Sequence, residues 1–572
     1  MLSFLLSLLD LRIGIVLACV AIAWFWPRFG ERVFGPLERG IGRFAARKSL
    51  AIVVVAAFVI LLRVSLLKLI PVPVPAVHDE FSYLLQADTF AHGRLTNPPH
   101  PMWIFFETFH VNQHPTYMSK YPPGQGAVLA LGQYLGNPWI GVLLSVAAMY
   151  AAILWALQGW MPPGWALLGA AFAFLQFGVW NYWTNSFWGG AVAAIGGALV
   201  IGALPRIFRR RRPRDAVLLG TGVAILANSR PYEGLIFCVP VFAALAWWLW
   251  KKRTPSWRGT IPRVVAPAVL VLVLAGVFMG YYNWRGTGNP LLLPYVVNDR
   301  ALLTTPHFVW QKLRPPREYL NPQFADFYND WAVDLWKERE FNGSWGAAST
   351  IFWSTVTIFP GLFIRDELLL VIVVMLPWLV RDWKARIFLA TCVICFAGFC
   401  TTTWFQTHYV APLMATVFAL IAEAVRHLRC LKIRGRPVGF FLSRALVVAV
   451  FGMASVNAVQ MIRSDASQAP FVRAGSREPI AAQLEAMPGE ELAIVRYGKG
   501  HDPGREWVYN RADIDHAKVV WAREIPGVDI HPLLDYFRGR HAWLVEPEAI
   551  PPRISPYPVS ANPADYSRGS TR

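Results

Sequence analysis

The sequence predicts an all-α polytopic membrane protein of about twelve transmembrane helices, followed by a small α/β domain, and three observations predict it. The 572 residues are 55% hydrophobic but only 16% charged, against about a quarter charged in soluble chains. Apolar runs near the ~20 residues that cross a ~30 Å hydrocarbon layer recur along the chain. Positive charges gather between those runs, at 28–48, 206–214, 251–263, 381–386 and 426–436. Inside lipid no water satisfies backbone polar groups, so such runs close their hydrogen bonds as helices. Leu and Ala dominate them, and no ten-residue alternation marks a barrel.

Short Lys- and Arg-rich segments stay on the cytoplasmic side, which fixes the thread. Spans are expected near 11–26, 50–70, 137–158, 163–181, 187–204, 215–230, 233–250, 264–284, 367–380, 387–404, 411–426 and 438–462, with both termini outside. The run at 124–135 follows a Pro-Pro-Gly break and is short; the run at 349–363 must not cross if 381–386 is cytoplasmic. Both are expected as interfacial or re-entrant helices. The leading run lacks a basic start and a small-residue cleavage site, so it reads as an anchor. Residues 1–462 therefore form a membrane module with external loops at about 71–123 and 285–346, and 463–572 a small external domain. Strand-like runs at 492–496, 518–521 and 542–545 alternate with charged turns in that domain. Its Ser-, Pro- and Arg-rich tail from Ser555 is expected to be disordered.

The net charge of +19 does not point to nucleic acid, because the cations sit where topology puts them. Arg209 to Arg212 is read as topogenic and in contact with anionic headgroups. None of the six cysteines falls in an external segment, so no disulfide framework is expected. Cys392 and Cys395 form a C-x-x-C inside an apolar helix, where packing explains them better than redox or zinc chemistry.

The first external loop is the exception to this plain inventory. It reads PVPVPAVHDEFSYLLQADTFAHGRLTNPPHPMWIFFETFHVNQHPTYMSKYPPGQG and holds His78, His92, His100, His110 and His114 among the chain's twelve histidines. Asp79 and Glu80 follow the second span directly, and adjacent carboxylates near hydrocarbon are costly. One reading is local: acids after a Pro-rich entry favour the start of a helix, here running to about Ala91. Such a helix would lie in the interface with Phe81, Leu84 and Leu85 toward lipid. Loops longer than about 15 residues usually have a function, and this one concentrates acids, imidazoles and aromatics.

The Asp79-Glu80 pair, the interfacial helix after it and the later Lys120-Tyr121-Pro122-Pro123-Gly124 resemble the GT-C glycosyltransferases. More narrowly they are similar to the protein O-mannosyltransferase and lipid A aminoarabinose transferase group, including its RgtA/B/C/D-like bacterial branch. The resemblance is clearest over 78–126, is supported at 183–204 and 227–234, and does not extend to the C-terminal domain; an extra leading span departs from the simplest layout. It implies a bundle of about eleven to thirteen helices with its active site at the outer surface of a bacterial inner membrane, facing the periplasm. It also implies a sugar donor carried on polyprenyl phosphate, and usually inversion at the anomeric carbon. The acceptor is a glycan, a lipid or a protein.

A hydroxyl attacking an anomeric carbon needs a carboxylate to take its proton, and Asp79 is the candidate by its match to the family position. Glu80 is the second catalytic candidate, orienting the acceptor or holding a metal. The leaving phosphate needs cations or donors where its charge develops: Lys120, Arg230 and Arg365 are the candidates. His78, Tyr121 and Glu233 are expected among the substrate contacts. Arg230 and Glu233 have a plainer reading as a loop ion pair, and Arg365 as part of a solvated turn. A divalent ion is a further candidate, held by Glu80, His110 and His114; the two histidines are four apart, although Pro115 argues against a helix there. Tyr182, Trp183, Phe187 and Trp188 read as interfacial belt residues or as sugar-stacking rings. The alternative function is a transporter or flippase of lipid-linked sugars, but the paired repeats with broken helices expected of one are not seen. A membrane scaffold is the third option, and it leaves the crowded loop unexplained.

Overall fold

The computed structural model describes residues 2–251, 257–363, 366–498 and 500–558. Each of the twelve segments expected to span is helical. Seven helices among the described residues are long and apolar enough to cross a membrane, and three shorter apolar helices accompany them. Proline sets many of the starts. Pro123, Pro138, Pro163, Pro213, Pro231 and Pro294 each open a helix, where the missing N–H costs nothing and φ is already helical. Asn137 adds a cap, its side chain accepting from the Trp139 N–H at 2.9 Å.

Burial sorts the helices. Pro138–Trp160, Ala191–Arg210 and Met414–Arg429 form the centre, and their large buried side chains belong to one continuous core. Close approach there depends on small residues: a Cβ at Gly197 would stand 2.0 Å from the Pro412 carbonyl oxygen. The helices Lys48–Ser65, Ala266–Thr287 and Val438–Ala474 are apolar but mostly uncovered, as helices facing lipid are. The last of these runs on to Ala474, past the boundary expected at 462.

Basic segments meet at one end of the bundle. Arg209 donates to the Gly159 carbonyl, Lys384 donates to Trp160 O at 3.2 Å, and Glu38 bridges Arg429 and Arg444 at 2.8 and 2.9 Å. The helix Pro231–Lys251 ends among such residues and begins beside Arg230, some ~30 Å away at 1.5 Å per residue. At that opposite end the segment 71–123, expected as the first external loop, folds down. Arg63, wholly buried, anchors its entry by donating to Ile70 O, Pro71 O and Asn185 Oδ1 at 2.9–3.1 Å.

The loop after that entry forms the helix His78–Ala91 with the expected limits, but its apolar face does not meet lipid. Phe81 and Leu85 are 1% and 0% exposed, because the C-terminal domain covers them. Phe81 packs on Tyr509 with ring centroids 4.9 Å apart, and Leu85 shares a core with Leu492, Ile494, Val520 and Leu544. That domain is a four-stranded sheet in the order Val519–Arg523, Glu491–Val495, His541–Glu546, Arg553–Pro556. The first two pairings are parallel and the last antiparallel, with Leu492 opposite both Val520 and Ala542. The three expected strands are all present. Ser555, expected in a disordered tail, instead pairs with Leu544 in the edge strand; the tail from 559 lies outside the described residues.

Candidate active site

A cavity of about 900 Å³ opens where the helix His78–Ala91, the 227–234 turn, the second external segment and the C-terminal domain converge. Asp79, on the first turn of the helix, reaches it. The Tyr121 hydroxyl donates to Asp79 Oδ1, His78 Nδ1 lies 3.1 Å from Oδ2, and His110 Nε2 lies 3.8 Å from Oδ1. Burial alone would raise this carboxyl, but the neighbouring imidazoles and the phenol hold it well below the ordinary carboxylate value. The same burial, followed by the Asp79 charge, pushes Tyr121 well above the ordinary phenol value. Tyr121 therefore stays protonated and keeps donating. Burial and the Lys120 ammonium push the His110 imidazole well below its ordinary value, with the Asp79 charge opposing them.

Local structure holds these groups in place. His110 adopts the left-handed backbone region, φ 63°, which a non-glycine residue occupies only under constraint. The constraint is its carbonyl, which accepts from Ser82 Oγ at 2.7 Å and from the Lys120 N–H at 3.0 Å. Tyr121 stacks on Tyr83 with centroids 4.5 Å apart. Gly124 explains part of the Pro-Pro-Gly motif: its N–H donates to Asn228 O at 2.7 Å, and a Cβ there would strike that same oxygen at 2.7 Å. The motif thus clamps the first external loop onto the turn that carries Arg230.

Two cations face the cavity with no ion pair to a carboxylate among the described residues. Lys120 is 7% exposed, has no ion pair among the described residues, and lies 4.8 Å from the Tyr295 ring centre and 5.5 Å from that of Tyr121. Burial lowers its ammonium from the ordinary value, opposed by Asp299 and Asp79. Arg230 stacks over Tyr409 at 4.3 Å. It makes no ion pair with Glu233, although both line the cavity, so the loop-pair reading is not what the fold shows. Burial works against its charge, yet Tyr83, Tyr409 and Glu233 raise the guanidinium above its ordinary value.

Glu80 is turned elsewhere. Its carboxylate accepts from the Ala76, Val77 and Phe187 N–H groups at 2.9, 3.2 and 3.0 Å and does not line the cavity. It closes the start of its own helix and ties it to the 183–204 region, which removes it from acceptor orientation and from a metal set. His114 is also displaced: it is exposed and packs on Trp103. The grouping that could hold a metal is instead His78, Asp79 and His110, whose ligand atoms all lie within 4.8 Å of one another. Arg365 lies outside the described residues.

Tertiary structure adds residues that no spacing announced. Asp299 pairs with His307 at 2.6 Å. His408 packs on Trp188 and meets the Tyr182 hydroxyl at 3.1 Å. His501 to Gly504 bring the C-terminal domain into the lining. The sequence offers His408 and Tyr409, in an outside break between spans, as residues able to approach the site; it does not single out Asp299, His307 or 501–504.

No protein-family model matches the chain, and neither does any curated protein. Among solved structures it is similar to ArnT from Cupriavidus metallidurans in the apo state, at 14% identity and a TM-score of 0.48 over 88% of this chain and 93% of that one. It is similar also to ArnT from Cupriavidus metallidurans bound to undecaprenyl phosphate, at 14% identity and a TM-score of 0.47 over 87% and 92%. A third likeness is to the oligosaccharyltransferase AglB from Archaeoglobus fulgidus in complex with an inhibitory peptide and a dolichol-phosphate, at 12% identity and a TM-score of 0.36 over 87% and 69%.

Proposed function

We propose that the chain is a membrane glycosyltransferase that moves a sugar from a polyprenyl-phosphate donor to an acceptor hydroxyl at the periplasmic face of a bacterial inner membrane. One observation carries this reading. A carboxylate held well below its ordinary value, Asp79, and two cations with no ion pair among the described residues, the buried Lys120 and the partly exposed Arg230, face one cavity at the end of the bundle opposite the basic segments. Unpaired buried charge is expensive, so the cations are poised for an anion. Met279, Leu293 and Val296 on the same lining suit the first isoprene units behind it.

The residues divide the reaction between them. The acceptor oxygen attacks the anomeric carbon while the bond from that carbon to the phosphate oxygen breaks. The leaving phosphate is stabilised by Lys120 and Arg230 as its charge develops. Asp79 takes the acceptor's proton. A carboxylate of low basicity suffices, because the hydroxyl becomes strongly acidic once its oxygen bonds to carbon. Tyr121 and His78 fix the orientation of Asp79. A single displacement of this kind inverts the anomeric centre. A divalent ion would be held by His78, Asp79 and His110, two imidazoles and a carboxylate suited to one, and would add positive charge beside the phosphate.

Transfer from defined polyprenyl-phosphate sugars in reconstituted vesicles tests the proposal. Asp79→Asn should retain donor binding and lose about 10²–10⁴-fold in turnover, the range for removal of a general base. Undiminished transfer in that variant, or lipid translocation without transfer in the unaltered protein, would refute it.

A further inference from the structure

The base and the two cations leave one wall of the cavity without a role. It comes from the short helical stretch Asp326–Trp331 and from Trp404, and the C-terminal domain adds Asp502 to the lining of the same cavity. Trp331 is 50% exposed although it lines the cavity, and its ring lies 5.6 Å from that of Trp404 at 45°. Phe327 joins this pair to the proposed base. Its ring is 4.9 Å from Trp331 and 5.4 Å from His78, and His78 touches Asp79. A single aromatic ring therefore separates the indoles from the reacting end of the cavity.

Asp326 and Asp330 are exposed and have no ion pair among the described residues; Asp502 is 65% exposed, its nearest cation being Arg505 at 3.7 Å. These carboxylates decide what the indoles can hold. An isoprenoid or acyl chain laid on the wall would strip water from them and return no hydrogen bond. An anionic ligand would be repelled. A neutral sugar ring satisfies both features: its C–H face packs on an indole, and its hydroxyls donate to the carboxylates, which accept only.

We propose that this wall is a carbohydrate-binding subsite, with Trp331 and Trp404 as the stacking platform, and that it makes the acceptor a glycan. The identification as the acceptor subsite rests on the transfer reading above; the binding of sugar does not. The second cavity, between Trp378, Arg386 and His427, lies at the basic end of the bundle and has no such tie to Asp79.

Saturation-transfer NMR on the full chain in nanodiscs tests it, with a panel of neutral methyl glycosides and disaccharides as the probe. At least one sugar should receive saturation, and Trp331→Ala and Trp404→Ala should each reduce it at least about fivefold, as the loss of a buried aromatic anchor does. Trp331→Phe should restore part of the signal. Trp345→Ala removes an exposed indole of the same segment that does not line the cavity, and it should change nothing. Because Trp331 is half exposed, its variants are expected to keep the parent's melting temperature, which is measured alongside. Silence across the panel, or equal signal in the Trp331 and Trp404 variants, overturns the proposal. Sugar binding through these indoles in a protein that transfers from no polyprenyl-phosphate donor upholds the subsite and overturns the transfer reading instead.

Discussion

Asp79 stands between a phenol and two imidazoles, and its protonation sets a measurable pH window. A carboxyl depressed in the folded protein favours the fold above its unfolded value and loses that contribution as pH falls through the folded one. For Asp79 that window lies below the ordinary 3.8. Transfer should therefore show no acid limb from this group above about pH 4; a kcat/KM profile falling with a midpoint near ~6 would assign the proton to another residue. Lys120 and Arg230 belong to a different step. Lys120→Met and Arg230→Met should each weaken polyprenyl-phosphate binding by roughly tenfold or more, the scale of a lost charge-assisted contact. Titration of undecaprenyl phosphate against the purified variants measures it. Both charges were legible in the sequence, but their lack of partners was not, since pairing is a property of distances.

The helix His78–Ala91 shows how much one element can hide. Its limits follow from a Pro-rich entry and two acids in the first turn, and they were legible in the sequence. The separate fates of Asp79 and Glu80 were not, although they are neighbours. Successive helical residues point about 100° apart, so one carboxylate enters the cavity while the other turns back onto Ala76, Val77 and Phe187. Glu80→Ala should then cost about 1–3 kcal/mol of stability by orphaning buried donors, with Glu80→Gln recovering part of it. Thermal unfolding in detergent reads both. The Pro-Pro-Gly motif acts at the same scale. Gly124→Ala forces a methyl onto the Asn228 carbonyl and should destabilise by about 1–3 kcal/mol, the range for overpacking. It should also impair donor binding, because Arg230 lies two residues from that contact.

The whole molecule is held together by a junction between its two parts. Arg523 and Glu506, 2% and 1% exposed, pair at 3.1 Å; Thr108 of the first external loop donates to Glu506, and Arg523 donates to Glu107 O at 3.3 Å. Ala512 N–H reaches Asp88 on the helix His78–Ala91 at 2.8 Å. Removing one member of a buried pair leaves the other uncompensated at a cost of about 3–5 kcal/mol. Arg523→Ala should accordingly lower the melting temperature and reduce transfer although it touches no substrate; a variant with unchanged melting and activity would show that the domain docks loosely. This junction also marks the boundary between what the chain announces and what folding decides. Composition and apolar runs determined a helical membrane bundle, because lipid imposes helix length and satisfied backbones wherever the chain lies; the carboxylate at 79 was singled out by the resemblance of its motif to a family. The burial of Phe81 and Leu85 under a domain more than 400 residues away, the turning away of Glu80 and the gathering of Trp331, Trp404 and Asp502 in the lining of one cavity came only with tertiary structure. Those depend on which surfaces meet, and distances between remote residues are not written in their order along the chain.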